Sequence, residues 1–387
     1  MAKNFALWLL SIQVLLFSPA FADERRIHVA TYNSGLAEGF VSYAAERKPY
    51  IIDALKDGKP DVLCLQEVWR QDDRRQFKAA LRDLYPYAFE AEAQQKYAAS
   101  KPACHLGDLF GKNKFGNCMA SKCALKKGQE FTDCLVNTCR SSIDLLKDDN
   151  RECASAVFAQ VGANPLSGVA AVLSPFKKVG LFAYEGEAGL LLLSRFPLRN
   201  QKVVELSSLS TSNRRAALSA VIEKGKEQVQ VLCTHLTANL DKTIPYTGEF
   251  DSWQDENLAQ VDHLLEHMDQ ELQDSPQVVM GDFNCSLSNN DFQIAPEQES
   301  SCEAIVDAGF YSPLLENPSC TYCGDNLLIQ GGDDVMIDHV FFRNAEPYLS
   351  YGEVYLKDAV SLEVGQKAIQ SHLSDHFGVW VYFQLNQ

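Results

Sequence analysis

Basic charge is scarce in this sequence. Its 387 residues carry 35 lysines and arginines against 51 aspartates and glutamates, a formal net charge of −16. Such a surface repels nucleic acid and anionic membranes over most of its area, so a polyanion has to be met by a local basic patch. Long apolar runs are missing as well. Beyond the first 22 residues no stretch of 18 or more apolar residues occurs, which leaves the remainder without a transmembrane helix. No repeat is visible, and no G-x-S-x-G occurs, so the serine-hydrolase elbow is absent. Gly331-Gly332 is not followed by Lys-Ser/Thr and a helix, which reduces it to turn punctuation. A hydrophobic content of 46% excludes a disordered or collagen-like chain.

The start of the chain reads as an export signal. Lys3 precedes an apolar run from Phe5 to Phe17, and Ala20-Phe21-Ala22 is a small-x-small cleavage pattern before Asp23. Residues 1–22 are therefore expected to be removed, giving a secreted or periplasmic protein. The run is short for a retained anchor.

Twelve cysteines in an exported chain favour disulfides. Six lie close together, at Cys104, Cys118, Cys123, Cys134, Cys139 and Cys153. The gaps of 13, 4, 10, 4 and 13 residues read the same in both directions. This symmetry suggests nested bridges 104–153, 118–139 and 123–134 across a helical hairpin, one of 15 possible pairings. Positions five apart sit about 140° apart on an α-helix, which is awkward for both inner bridges. Seven lysines between residues 96 and 128 face one acid, Asp108. They form either a polyanion patch or an ordinary solvated face.

Strands are expected at 27–32, 61–66, 189–193, 217–222, 229–233, 278–280, 337–342 and 378–383, with helices near 41–56 and 252–272. Ser252-x-x-Asp255 opens the second helix in the manner of a capping box. The cysteine- and lysine-rich stretch, residues 91–165, interrupts this α/β pattern. It reads as an insertion, with a separate disulfide-stapled module as the alternative.

Polar residues recur at the ends of these apolar runs. They are Asn33, Glu67, His235, Asp282 with Asn284, Asp338, and Asp375-His376 just before the final run. Each alone would be a turn former or a satisfied histidine, but six such groups can converge on one rim of a sheet. The set suits phosphodiester hydrolysis. Glu67 offers oxygen to a hard divalent cation. His376, oriented by Asp338, is a base for water. Asn33, Asn284 and His235 can stabilise charge on the non-bridging oxygens.

In this order the residues resemble the endonuclease/exonuclease/phosphatase superfamily, from about Ile27 to Phe383. The resemblance implies a four-layer α/β/β/α sandwich, two packed mixed sheets flanked by helices, with residues 23–387 as one catalytic domain carrying the insertion. It implies a magnesium site (manganese, calcium or cobalt as substitutes) at Glu67, with Asn33 and Asp375 beside it. It also implies phosphate contacts from His235, Asn284 and Arg215, a position Arg214 could equally fill. Asp282 and Asn284 would place the phosphate and the attacking water, and His376 with Asp338 would form the base pair. Leu65-Gln66-Glu67-Val68-Trp69, Thr234-His235-Leu236-Thr237-Ala238, the helix from Asn257 and Ser319-Cys320-Thr321-Tyr322 look most like neutral sphingomyelinases. His339, where those enzymes more often have an aromatic, departs from them, as does the insertion. The expectation is a monomeric phosphodiesterase acting on a phospholipid membrane surface, with a secreted nuclease acting on nucleic acid as the alternative. A silent binding module would need a gap among Glu67, Asp282, Asp338 and His376, and there is none.

Three further features are read as structural. His263-Leu264-Leu265-Glu266-His267 matches a zinc-protease pattern, but both histidines are expected on the solvated side of the helix. Cys320-Thr321-Tyr322-Cys323 has no second pair at zinc-ribbon spacing, and a bridge to Cys302 or Cys285 is expected instead. Cys64 and Cys233 lie in apolar runs, as free thiols or facing each other. The run Val169–Phe176 reads as a core strand or as a membrane-entering element.

Overall fold

The computed structural model describes residues 25–161, 165–329 and 331–386. The expected signal peptide, residues 1–22, lies outside them. The strands are β1 (Arg26–Asn33), β2 (Val62–Gln66), β3 (Tyr87–Phe89), β4 (Leu191–Ser194), β5 (Arg199–Glu205), β6 (Ala216–Lys224) and β7 (Glu227–His235), then β8 (Gln277–Asp282), β9 (Asp338–Arg343), β10 (Glu346–Tyr355), β11 (Val360–Val364), β12 (Lys367–Ser371) and β13 (Gly378–Gln384). Six of them form one mixed sheet in the order β10-β13-β1-β2-β4-β3. Five form a second, β5-β6-β7-β8-β9, and β11-β12 is a separate hairpin.

Alternation along the strands explains the layers. Ile27, Val29, Val62, Cys64 and Leu192 of the first sheet meet Leu218, Val231, Val278 and Val340 of the second in a single inter-sheet core. The intervening residues Ala30, Tyr32, Leu63, Leu65, Leu191 and Leu193 face outward onto Ile51, Leu55, Phe77 and Leu81. These come from α1 (Ala44–Gly58) and α2 (Gln71–Leu81). Strands covered on both faces read as continuous apolar runs, which is why they are visible in the sequence. On the far side Leu232, Val279 and Phe341 pack against Val261, Leu264, Met268 and Ile305, the last four from helices Trp253–Gln270 and Glu299–Asp307. The result is the expected four-layer sandwich.

Between β3 and β4 the chain forms α3 (Gln129–Thr138), α4 (Arg140–Asp149), α5 (Arg151–Phe158) and α6 (Pro165–Val172), so the two helices named above become α7 and α8. This segment has its own small core of Leu109, Phe115, Ile143, Leu146 and Phe158, onto which Ile244 of the sandwich packs. Arg140 Nη1 donates to Asp241 O at 2.9 Å and Arg151 Nε to Thr247 O at 2.8 Å. The nested bridges 104–153, 118–139 and 123–134 all form. The angular objection is met by local geometry. Met119–Cys123 is a π-helical turn, whose i→i+5 winding brings residues five apart to one face. On the other side Cys139 (φ −104°, ψ 9°) breaks the path between α3 and α4.

Three expectations change, and of the two arrangements open to Cys64 and Cys233 the facing one is found. Cys320 pairs with Cys323 and Cys285 with Cys302, because the Cys320–Cys323 turn brings its Cα atoms to 5.5 Å, within disulfide reach. Val169–Phe176 is not a strand. Pro165 starts a helix at its first position, the helix ends at Val172, and Phe176 is 86% exposed. Of the two helix histidines only His263 is solvated; His267 is buried. The buried stripe of α7 includes the polar Glu256, Asn257 and Gln260, which rotates it toward His267. Cys64 and Cys233 are bonded, joining the two sheets.

Candidate active site

Register places the polar strand ends. β7 runs parallel to β8 with His235 opposite Asp282, and β8 runs antiparallel to β9 with Asp282 opposite Asp338. Three site residues thus lie in one row across the second sheet. In the first sheet Asn33 pairs with Gln66, the residue before Glu67. The inter-sheet packing brings the two rows together. Asn33 Nδ2 donates to Asp282 Oδ2 at 2.9 Å and to Glu67 Oε1 at 3.3 Å, while its Oδ1 accepts from Gly35 N–H at 3.0 Å.

His376 Nδ1 donates to Asp338 Oδ2 at 2.8 Å, which leaves Nε2, 3.5 Å from Asn33 Nδ2, on the cavity side. Thr321 Oγ1 accepts from the amides of Ile337 and Asp338 at 3.0 Å each, fixing the aspartate's backbone. The Tyr322 ring meets the imidazole of His376 edge-on at 5.1 Å. His235 Nε2 lies 3.4 Å from Asp282 Oδ2. Asn284 N–H donates to Asp282 Oδ1 at 3.0 Å, and its side-chain amide donates to Leu236 O at 3.1 Å.

Two of these residues adopt left-handed backbone, Glu67 at φ 57° and Asn284 at φ 52°. Asparagine tolerates this region, whereas for glutamate it costs about 1 kcal/mol or more and persists only where the surroundings impose it. Gly281 is required beside them, since a Cβ there would sit 2.1 Å from Thr234 O.

Burial and charge set the electrostatics. Burial, then the charge of Asp375, raises the Glu67 pKa above the usual carboxylate range. Burial and the neighbouring Asp338 push Asp282 up to about 7. Burial alone would depress His376, but Asp338 and Asp282 outweigh it and hold its imidazole well above the ordinary value. His235 moves the opposite way, lowered well below 6.5 by burial and by the charges of Arg215 and His376. The two imidazoles of one cavity are thereby shifted in opposite directions.

The cavity, about 470 Å³, is lined by Glu67, Arg215, His235, Asp282, Asn284, Asp375 and His376, with Phe40, Trp69, Phe158 and Tyr184 among its apolar wall. Trp69 and Tyr184 stack at 4.4 Å. Arg215 is the arginine at the site. It is buried with Nε and Nη1 unpartnered among the described residues, while Arg214 turns away to Glu205 and to the carbonyls of Glu92 and Gly186. His339 also lies outside, its Nε2 2.9 Å from Cys285 O. A buried Glu67 Oε2 without a partner among the described residues, near the carboxylate of Asp375, is an all-oxygen arrangement that fits a hard divalent cation.

Several positioning residues escaped the sequence reading. Asn257 Nδ2 donates to the carbonyls of Thr237 (2.6 Å) and Phe283 (3.0 Å). Gln298 Nε2 donates to those of Thr237 and Asn284, both at 2.8 Å. They clamp the loops that follow His235 and Asp282. The one available signal was polar residues at core positions of an otherwise amphipathic helix, and Gln298 carried none.

Solved structures share this architecture. SmcL superposes with a TM-score of 0.56 at 13% identity, over 93% of this chain and 99% of SmcL. Sphingomyelinase C from Streptomyces griseocarneus gives 0.54 at 15%, over 93% and 99%. TDP2 from Caenorhabditis elegans gives 0.50 at 12%, over 95% and 76%. No curated protein matches the chain in sequence. Residues 30–376, which span every polar strand end described above, match the Endonuclease/Exonuclease/phosphatase family, and the chain belongs to that family.

Proposed function

We propose that the protein is an exported, magnesium-dependent phosphodiesterase that removes the phosphorylated head group of a phospholipid, in the manner of a sphingomyelinase. The observation that carries this reading is the make-up of the cavity. Its acid–base residues are buried together, aromatic rings stand in its wall, and among the described residues its lysine and arginine side chains are Arg215 and Lys242. A polynucleotide needs a row of cations tracking its phosphates. A choline-like head group needs an aromatic face, and Phe40, Phe158, Tyr184 and Tyr322 are among the residues lining the cavity. The six disulfides fit an oxidising compartment and support export. The likeness to Sphingomyelinase C supports the fold on which this reading rests.

Glu67 and Asp375 would hold the ion, with Asn33 orienting the glutamate, and the bound ion would neutralise charge on the phosphate. Asp282 and Asn284 position the substrate phosphate and the attacking water. His376 Nε2 takes the proton of that water as its oxygen bonds to phosphorus, and Asp338 stabilises the imidazolium that forms. Arg215 faces the non-bridging oxygens, and the P–O bond to the leaving group breaks with His235 assisting the departing oxygen.

The test is head-to-head hydrolysis of sphingomyelin vesicles and of single- and double-stranded DNA, with magnesium and with chelator. Phosphocholine release that chelator stops is the expected result. DNA cleavage with intact lipid would overturn the lipid reading in favour of a nuclease.

A further inference from the structure

A second cavity lies in the disulfide-stapled segment. It measures about 370 Å³ and is lined mainly by apolar side chains, among them Leu109, Phe115, Met119, Phe131, Leu135 and Val172. That volume lies within the range of small-ligand sites, roughly 300–1,000 Å³. A segment this small has little apolar core of its own, and a packed interior leaves few voids larger than a water molecule. A cavity of this size in a segment cross-linked by three bridges is therefore a feature to explain.

Its rim has a definite charge. Lys126 and Lys127 line it, and both are exposed and in no ion pair among the described residues. The one acid on the lining, Glu38, is paired with Arg70. Leu125, next to the two lysines, is 99% exposed. Lys126 acts electrostatically on Asp133 of α3, and an exposed leucine beside two exposed lysines at the mouth of an apolar pocket is the pattern of a surface that meets an anionic bilayer.

The pocket also backs onto the catalytic cavity. In the loop after β1, Ala37, Phe40 and Val41 line the catalytic cavity while Glu38 and Gly39 line the apolar one. In α5, Phe158 faces the first and Val157 the second. One loop and one helix end form a common wall.

We propose that this pocket binds one acyl chain of an anionic phospholipid, with the head group held at the mouth by Lys126 and Lys127. It is a site apart from the catalytic cavity and stands whichever phosphodiester that cavity cleaves. Its role is to seat the protein on a charged membrane, with the shared wall against the bound chain.

Binding is read directly, in chelator so that no turnover intervenes, with a fluorescent polyene fatty acid and its uncharged methyl ester as probes. The full chain should bind the acid saturably at one site, and a monomeric short-chain phosphatidylglycerol should displace it. Filling the pocket with Met119→Trp or Leu135→Trp should weaken binding of both probes about tenfold or more, the loss expected when a small apolar ligand is denied its cavity. The exposed double change Lys126→Glu, Lys127→Glu tests the mouth without disturbing the interior. It should weaken the acid several-fold and leave the ester unchanged. Circular dichroism checks the folding of each variant. Binding unaffected by all of these changes, or displacement by laurate but not by phosphatidylglycerol, overturns the proposal.

Discussion

The sandwich and the inserted segment solve the same problem with different means. In the sandwich, strands covered on both faces bury three apolar layers, and residues at the strand ends inherit that rigidity. The row His235, Asp282, Asp338 is set by backbone register alone. The insertion has short helices, a small core and three nested bridges. Small cores supply little stability unaided, and covalent links make up the difference. The contrast shows where each kind of chemistry can be placed. A site needing several groups held within a few tenths of an ångström belongs on the sheets. A cavity needing only shape and a charged rim can lie in a cross-linked segment.

Removing a group from the sheet-built site should have the largest effect. Glu67→Ala is expected to abolish metal-dependent hydrolysis while the circular dichroism spectrum stays unchanged; retained activity would remove Glu67 as the ligand. His376→Ala should cost about 10²- to 10⁴-fold in turnover, the usual range for a positioned base, and a smaller loss would move the base elsewhere. The energetic side of the comparison is tested in the two cores. Leu218→Ala, between the sheets, should lower global stability by about 2–5 kcal/mol in denaturant titrations. Leu146→Ala should mainly open the insertion, seen as faster hydrogen exchange there with little shift of the global midpoint. Equal global losses would mean that the two regions unfold as one.

Reduction sharpens the same contrast. Residues 104–153 should become the first target of a protease after mild reductant, and a segment that stays resistant would show that its helices need no bridges. The smallest expected change is in pH dependence. Because Asp338 raises the His376 pKa, the basic form accumulates only above the ordinary histidine range, so the acid limb of the rate profile should lie above pH 6.5. Asp338→Asn removes that charge and should move the limb to lower pH. A limb that stays in place would assign it to another group.

What could be read from the sequence follows from burial. Seven of the eight expected strands lie inside their sheets, and the eighth, the edge strand β9, is buried nearly throughout. Missed were β3, β5, β10, β11 and β12, whose residues are largely exposed and therefore show no clear period. Expected strand ends also moved. Gly189 stays out of β4 because it lies at φ +69° against the Trp69 ring. Asn33, Glu67, His235, Asp282, Asn284, Asp338, Asp375 and His376 were legible because each interrupts or borders an apolar run. The choice between Arg214 and Arg215 was not, since both lie in the irregular stretch just before β6 and only the packed fold decides which faces the cavity. The pairing of Cys320 with Cys323 depended on a turn whose geometry no pattern encodes.

The Cys64–Cys233 bond spans 169 residues of chain and encloses the entire insertion within a covalent ring. A single cut in that ring beyond Glu67 divides the chain into one piece carrying Asn33 and Glu67 and another carrying His235, Asp282, Asp338 and His376, yet the two stay tied by the bond. A protease can therefore nick that part of the ring without the halves of the cavity being lost to each other.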